Sequence, residues 1–388
     1  MRIASLNPFR AAERKSSKAR TLIALSRPAA PVWTPRDYAS LARVGFERNV
    51  IAYRCIRLVS EAAASIPLKI IDAGAIATDH PLKTLLMRPN PEQSGAELFE
   101  QLYGFLQTAG NAYLEAASVN GEPRELYALR PDRMKARLSA RGWAEAWDYT
   151  VGGRTITFRA EGDGPAPILH LKLFHPTNDH YGFSPLEAAS GAVDLHNAAL
   201  AWNKALLDNA ARPSGALVYS GPEGAENLSA EQFERLKGEL AELYSGAANA
   251  GRPMVLDGGL DWRAMSLSPA EMDFQAAKNA AAREIALAFG VPPMLLGIPG
   301  DNTYSNYREA NLAFFKQTIL PLAKKTASAL TGWLGASFAA SVEIDLAGVE
   351  ALAAERDALW ARVSAADFLS PDEKRAALGL CAMEASDE

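Results

Sequence analysis

The chain has 388 residues, enough for two or three domains or one elongated body with insertions. Lys plus Arg is 40 and Asp plus Glu 45, a net charge of −5, which argues against a generally basic nucleic-acid coat. Two cysteines, Cys55 and Cys381, exclude a disulfide framework and a cysteine-built zinc site, and no apolar run reaches the roughly 18–20 residues of a membrane span, so a soluble protein from a reducing compartment is expected.

Residues 1–30 carry Arg2, Arg10, Arg14, Lys15, Lys18, Arg20 and Arg27 against one acid, Glu13. Three readings stay open: a flexible basic arm, a tail that touches nucleic acid or a partner, and an organelle transit peptide. Beyond it, Ile51, Cys55, Leu58, Ala62 and Ile66 keep helical spacing from Glu47 to Ser65. Pro67 interrupts the helix, and Ile66, Leu68 and Ile70 then alternate as a strand. His80–Met87 is a short helix stopped by Pro89-Asn90-Pro91. Ser94 and Glu97 form a capping box for a helix ending at Gly110-Asn111.

The period then changes to two. Ala112–Val119 and Glu125–Leu129 flank Asn120-Gly121, Asp148–Val151 and Thr155–Phe158 flank Gly152-Gly153, and Ile168–Phe174 is a further strand. This region reads as α+β, with helices before an antiparallel sheet.

Ser184-Pro185-Leu186-Glu187, Ser268-Pro269-Ala270-Glu271 and Ser370-Pro371-Asp372-Glu373 share one helix-start grammar: serine cap, proline in the first turn, glutamate closing the box. The first starts a helix to about Ala211, near 40 Å long, with Leu186, Val193, Leu200 and Leu207 seven apart, a stripe read as stem packing or as ordinary intrachain core. The second starts a helix to Phe289, with Phe274, Ala277, Ala281, Ile285 and Ala288 on one side. Between them lie a strand at Gly215–Tyr219, a helix from Ser229 to about Tyr244, and strands at Met254–Asp257 and Asp261–Leu267. A small α/β lobe between two long helices is a stalk with a head. After a Gly/Pro-rich loop comes a helix from Tyr304 to about Trp333, kinked at Pro321. A strand at Ser341–Leu346 and helices at Val349–Ala365 and Pro371–Leu378 close the chain.

No phosphate loop, dinucleotide glycine fingerprint, nucleophile elbow or His-Glu-x-x-His motif is present. His170, His175 and His180 are spaced by five, which shares no side of a helix or strand, so they read as one strand and two loop histidines rather than metal ligands. The expectation is no catalytic residue, no metal and no cofactor.

Several blocks stand out: Ile285–Gly297 followed by Thr303–Tyr307 and Thr318–Pro321; Val50–Leu68; Leu85–Pro91; Gly110–Tyr113; Tyr181–Leu186; Ala211–Gly215; and Leu369–Arg375. In their order over about 45–380 they resemble the phage portal protein family, in its Hong Kong ninety-seven branch of long-tailed phages, with Asp372 where asparagine is usual. Gene transfer agents carry portals of this kind, and a chain this short and alanine-rich fits one.

The resemblance implies a portal fold: a basic flexible arm at 1–44, an α/β wing at 45–183, stem helices at 184–214 and 268–289, a small clip at 215–267, a tunnel loop at 290–303, a kinked helix and returning wing strand at 304–346, and short crown helices at 347–388. It implies a twelve-subunit homo-oligomeric ring at one capsid vertex of a virion or phage-like particle, assembled in the bacterial cytoplasm. Double-stranded DNA would pass through it during packaging and ejection, with the terminase large subunit, a head-tail adaptor and the major capsid protein as partners. Expected tunnel-loop residues are Met294, Leu295, Leu296, Gly297, Ile298, Gly300, Asp301 and Asn302, with mobility assigned to Gly297 and Gly300, and with Met294 and Leu295 alternatively plugging the core. Lys278, Arg283 and Lys204 are the stem candidates for phosphate contact; pairing with Glu271, Asp273 or Glu284 is the alternative for the first two. The rival function is a helical scaffold or adaptor of a viral-type particle without DNA contact. For a ring through which DNA slides, mild acidity is expected, because strong cationic surface would hold the duplex.

Overall fold

The computed structural model describes residues 32–159, 165–208, 215–219, 231, 234–235, 238, 260–264, 274–300 and 304–379. The chain divides between Trp33 and Thr34, and all elements below belong to the unit beginning at Thr34.

Asp37 caps a short helix α1 (Tyr38–Leu41) that widens into a π-turn at Ala42–Phe46. Leu41 is buried in the core and Thr34 is bonded to Asp194, so residues 34–44, expected in the arm, are part of the body. Asn49 caps α2 (Val50–Ala64). Pro67 then redirects the chain into β1 (Leu68–Asp72), which turns into β2 (Ala75–Ala77). α3 (Pro81–Met87) starts at His80, whose ring nitrogen caps it. The Ser94–Glu97 box closes on both sides at the start of α4 (Gly95–Ala109), and left-handed Gly110 ends it.

Two antiparallel sheets follow. β3 (Asn111–Val119) pairs with β4 (Glu122–Leu129) and, on its other edge, with β8 (Ile168–Lys172). β5 (Met134–Leu138), β6 (Ala144–Val151) and β7 (Arg154–Arg159) form the second sheet, with β6 central. β5 was not anticipated: Met134-Lys-Ala-Arg-Leu138 has no β-branched residue, and the strand exists because β6 offers it a partner edge.

α5 (Pro185–Ala188) and α6 (Ser190–Asp208) continue the chain with a one-residue break at Ala189. β9 (Gly215–Tyr219) pairs antiparallel with β10 (Leu260–Ala264). The helix expected from Ser229 and the strand expected at 254–257 lie largely or wholly outside the described residues. α7 (Phe274–Ala288), α8 (Tyr304–Phe314) and α9 (Leu320–Phe338) complete the helical core. Between α8 and α9 residues Phe315–Ile319 form a π-turn. Pro321 lacks an N–H and would crowd the Gln317 carbonyl in an α-helix, and the widened turn accommodates both. β11 (Ala340–Ile344) returns antiparallel to β1. Two 3₁₀ turns precede α10 (Ala353–Ser364), so that helix starts later than expected. α11 (Pro371–Ala377) begins with a closed Ser370–Glu373 box.

One core joins these parts. Ile56 and Val59 of α2, Leu98, Leu102 and Leu106 of α4, Ile285 of α7 and Leu330 of α9 are each at most 2% exposed and share a cluster. A smaller cluster of Tyr113, Leu129, Met134 and Ile168, with Trp147, Tyr149 and Phe158 against it, joins the two sheets.

Candidate functional site

α6 and α7, the helices expected to form a stem, pack along each other. Ala199 of α6 and Ala281 and Ala282 of α7 are buried, and such small side chains let two helix backbones approach closely. Of the seven-spaced stripe, Leu186 and Val193 sit in the core, whereas Leu200 is 48% exposed and Leu207 lies in the last described turn. The stripe therefore divides. Its first two positions are intrachain core, and Leu200 stands half-exposed.

α6 is tied to the start of the chain by polar groups. Asn49 is 1% exposed, and its Oδ1 accepts from the N–H groups of Ile51 and Ala52. Its Nδ2 donates to Asn197 Oδ1 at 2.9 Å and approaches His196 Nδ1 at 3.2 Å. Because this amide nitrogen can only donate, His196 Nδ1 accepts and the ring is neutral. Burial and then the Lys278 charge hold His196 below the ordinary histidine range. The Thr34 N–H donates to the Asp194 carboxylate at 2.8 Å, and the Thr34 hydroxyl bonds its other oxygen.

Among the stem cations, Lys204 is exposed and Lys278 is half-buried near His196. Arg283 is exposed, but its guanidinium donates to the Pro299 carbonyl, so it holds down the following loop.

That loop is built, not slack. At the end of α7, Val291 N–H bonds the Ala286 carbonyl and Gly290 N–H bonds Leu287, a Schellman closure with Gly290 at φ 64°. Pro293–Leu296 then makes one 3₁₀ turn, and the closure repeats: Ile298 N–H to Pro293, Gly297 N–H to Met294, with Gly297 at φ 70°. Val291 and Ile298, the residues after the two glycines, are both buried. Met294 is half-buried, and Leu295 and Leu296 pack against the main core. The Thr318 hydroxyl donates to the Gly290 carbonyl at 2.8 Å. Gly297 is a cap in the left-handed region that L-residues avoid. Gly300 faces the Arg283 side chain, and Asp301 and Asn302 lie outside the described residues.

The three histidines do not converge. His170 stacks on Tyr113 at 4.5 Å, and its Nε2–H donates to Asn111 Oδ1 at 2.9 Å. Burial, with Lys172 adding to it, pushes it down to about 3. His175 packs edge-on against Phe183, and no acid or thiol cluster of metal-binding geometry occurs among the described residues. Burial pushes the Cys55 thiol up to about 12, leaving it an inert core group.

Sequence reasoning missed Asn111 as a junction. Its Oδ1 accepts from Gly182 N–H at 2.7 Å, and Leu173 N–H bonds the Gly110 carbonyl. Two of the blocks that carried the family resemblance, 110–113 and 181–186, therefore meet in space.

Residues 51–379 match the family described as phage portal protein. The chain belongs to that family. It is 24% identical over 298 residues to the portal protein of Enterobacteria phage HK97, covering 73% of this chain and 66% of that one. An uncharacterized protein of Rickettsia bellii is 44% identical over 350 residues, covering 88% of this chain and 90% of its own. A chain in the neck of an empty gene transfer agent (GTA) particle, computed with C6 symmetry, is 54% identical with a TM-score of 0.73, covering 92% of this chain and 96% of that one. A Corynebacterium diphtheriae HK97-family portal protein, 16% identical at TM-score 0.58 over 82% of this chain and 97% of its own, shares the fold. This portal protein is of HK97 type and not an enzyme.

Proposed function

We propose that this portal protein forms a closed ring in the neck of a gene-transfer-agent-like particle and conducts double-stranded DNA through its centre. The observation that carries the reading is identity of 53% over 91% of the chain with a component of a native GTA neck computed with C12 symmetry, which makes twelve subunits the expected number. α5–α6 and α7 form the stem, β9 and β10 belong to the clip, the 290–303 loop borders the channel, and 353–379 is a small crown. Terminase large subunit and head-tail adaptor dock at the clip in turn, and the major capsid protein holds the rim.

Surface chemistry supports ring closure. Leu195 and Leu200 on α6 and Leu287 on α7 are 50%, 48% and 80% exposed in the single chain, apolar area that a neighbouring subunit would cover. A cyclic ring needs two different complementary surfaces per subunit, and these helices offer one. Within the loop, half-buried Leu295 and Leu296 and buried Ile298 act as a foot, which leaves 299–303 as the tip toward DNA. Native mass tests the ring: twelve subunits of 41.6 kDa give roughly 500 kDa. A monomer at every concentration overturns the reading. Charge reversal at Lys278 tests the channel, through nuclease-protected DNA per particle. Unchanged packaging removes Lys278 from the DNA path.

A further inference from the structure

The β5–β6–β7 sheet has two unlike faces. Register puts Met134 beside Tyr149 and Ile156, and Ala136 beside Trp147 and Phe158. Met134, Tyr149, Trp147 and Phe158 belong to the small inter-sheet core. The opposite face carries Lys135, Asp148 and Thr157 in one row, Arg137, Ala146 and Arg159 in the next, and Thr150 beside Thr155. Lys135, Arg137, Thr150, Thr155, Thr157 and Arg159 are all exposed.

This face is cationic in a chain whose net charge is −5. Lys135, Arg137 and Arg159 stand on it against a single acid, Asp148, while Glu145 and Arg154 alternate onto the other face. Asp148 is occupied on both oxygens. Arg137 Nε donates to Oδ2 at 2.7 Å and Thr157 Oγ1 to Oδ1 at 2.6 Å, which fixes the Arg137 head on the face. Among the described residues Lys135 and Arg159 are in no salt bridge.

We infer that this sheet face binds the phosphate backbone of duplex DNA, at a surface separate from the stem and the loop. Positions two apart on a strand are about 6.7 Å from each other and adjacent strands about 4.8 Å apart, so the cations and hydroxyls form a flat grid of donors. Arg, Lys and Thr are the side chains that contact phosphate oxygens without reading bases. Charge complementarity selects the occupant, and a rigid sheet holds the donors with little ordering cost.

The test uses the full chain and a covalently closed circular duplex, which cannot thread a closed ring and so reads only outer surface. Binding is followed by fluorescence anisotropy from 50 to 200 mM salt. The readout is the difference between the unaltered chain and Lys135→Glu/Arg159→Glu, because residues 1–30 also carry cations. Expected is a loss of about tenfold or more at low salt, with the log–log salt slope less steep by about 0.9 per lost contact. Lys135→Gln/Arg159→Gln, without added acids, should show a smaller loss of the same kind and guards against misfolding. Equal affinity in both variants overturns the inference. Binding of poly-glutamate but not the circle also overturns it, in favour of an acidic protein surface. Ring mass of the same samples reads the proposed function separately, since the circle reports on the sheet whether or not the channel conducts DNA.

Discussion

Asn49 and His196, 147 positions apart, meet amide to imidazole at 3.2 Å in the core. The contact joins the cap of α2 to the middle of α6, and Asn49 has no spare hydrogen-bonding group left. Asn49→Ala removes a helix cap and leaves buried partners unpaired, with an expected loss of about 2–4 kcal/mol in chemical denaturation. A change below about 0.5 kcal/mol would mean that the contact does not form in solution.

Acid should destabilise the protein through His170 and His196. Both folded values lie below the ordinary one, so as pH falls through about 6.5 the unfolded chain takes up protons first. Their contribution is complete above that pH and is lost as pH falls toward about 3, the folded value of His170. Each histidine costs about 1.4 kcal/mol per pH unit while only the unfolded state is protonated. Urea midpoints between pH 7.5 and 4 check this. Lys278→Glu should raise the pH at which His196 titrates, read by NMR, since it replaces a repelling charge with an attracting one.

Two glycines should respond in opposite ways to alanine. A Cβ at Gly182 would overlap the Gly110 carbonyl oxygen, and both neighbours are backbone, so Gly182→Ala should cost about 3 kcal/mol or more, or prevent folding. A Cβ at Gly191, near the start of α6, meets nothing within 4 Å. Gly191→Ala should stabilise by about 0.5–1 kcal/mol through helix propensity. Thermal unfolding of both variants is the measurement.

The loop after α7 should loosen locally when its closures are broken. Gly297→Ala forces a Cβ into the left-handed region at a cost of about 1–2 kcal/mol, and Arg283→Ala releases the Pro299 carbonyl. Both should speed hydrogen exchange at the Ile298 amide. The Arg283 variant should leave the midpoint of global unfolding nearly unchanged, since that arginine is exposed.

Local chemistry made much of the fold legible. The Ser94 and Ser370 boxes, the hairpin glycines and the Gly290 stop depend on residues a few positions apart, and each lies where the sequence placed it. Features that depend on distant partners were not legible. β5 forms on the edge of β6, and α1 is held by the core that buries Leu41. The heptad stripe named four leucine and valine positions, but only the tertiary packing separated buried Leu186 and Val193 from exposed Leu200. Arg283 illustrates the same limit for the site: no local pattern records that its guanidinium reaches the Pro299 carbonyl.

The sequence by itself determined the family, the order of elements and most helix ends, because these rest on short-range caps, turns and ordered blocks. Only the tertiary structure decided which loop residues are anchors, which histidines are neutral and which sheet face gathers positive charge. Burial and charge summation act between residues far apart in the chain, and no local pattern records them.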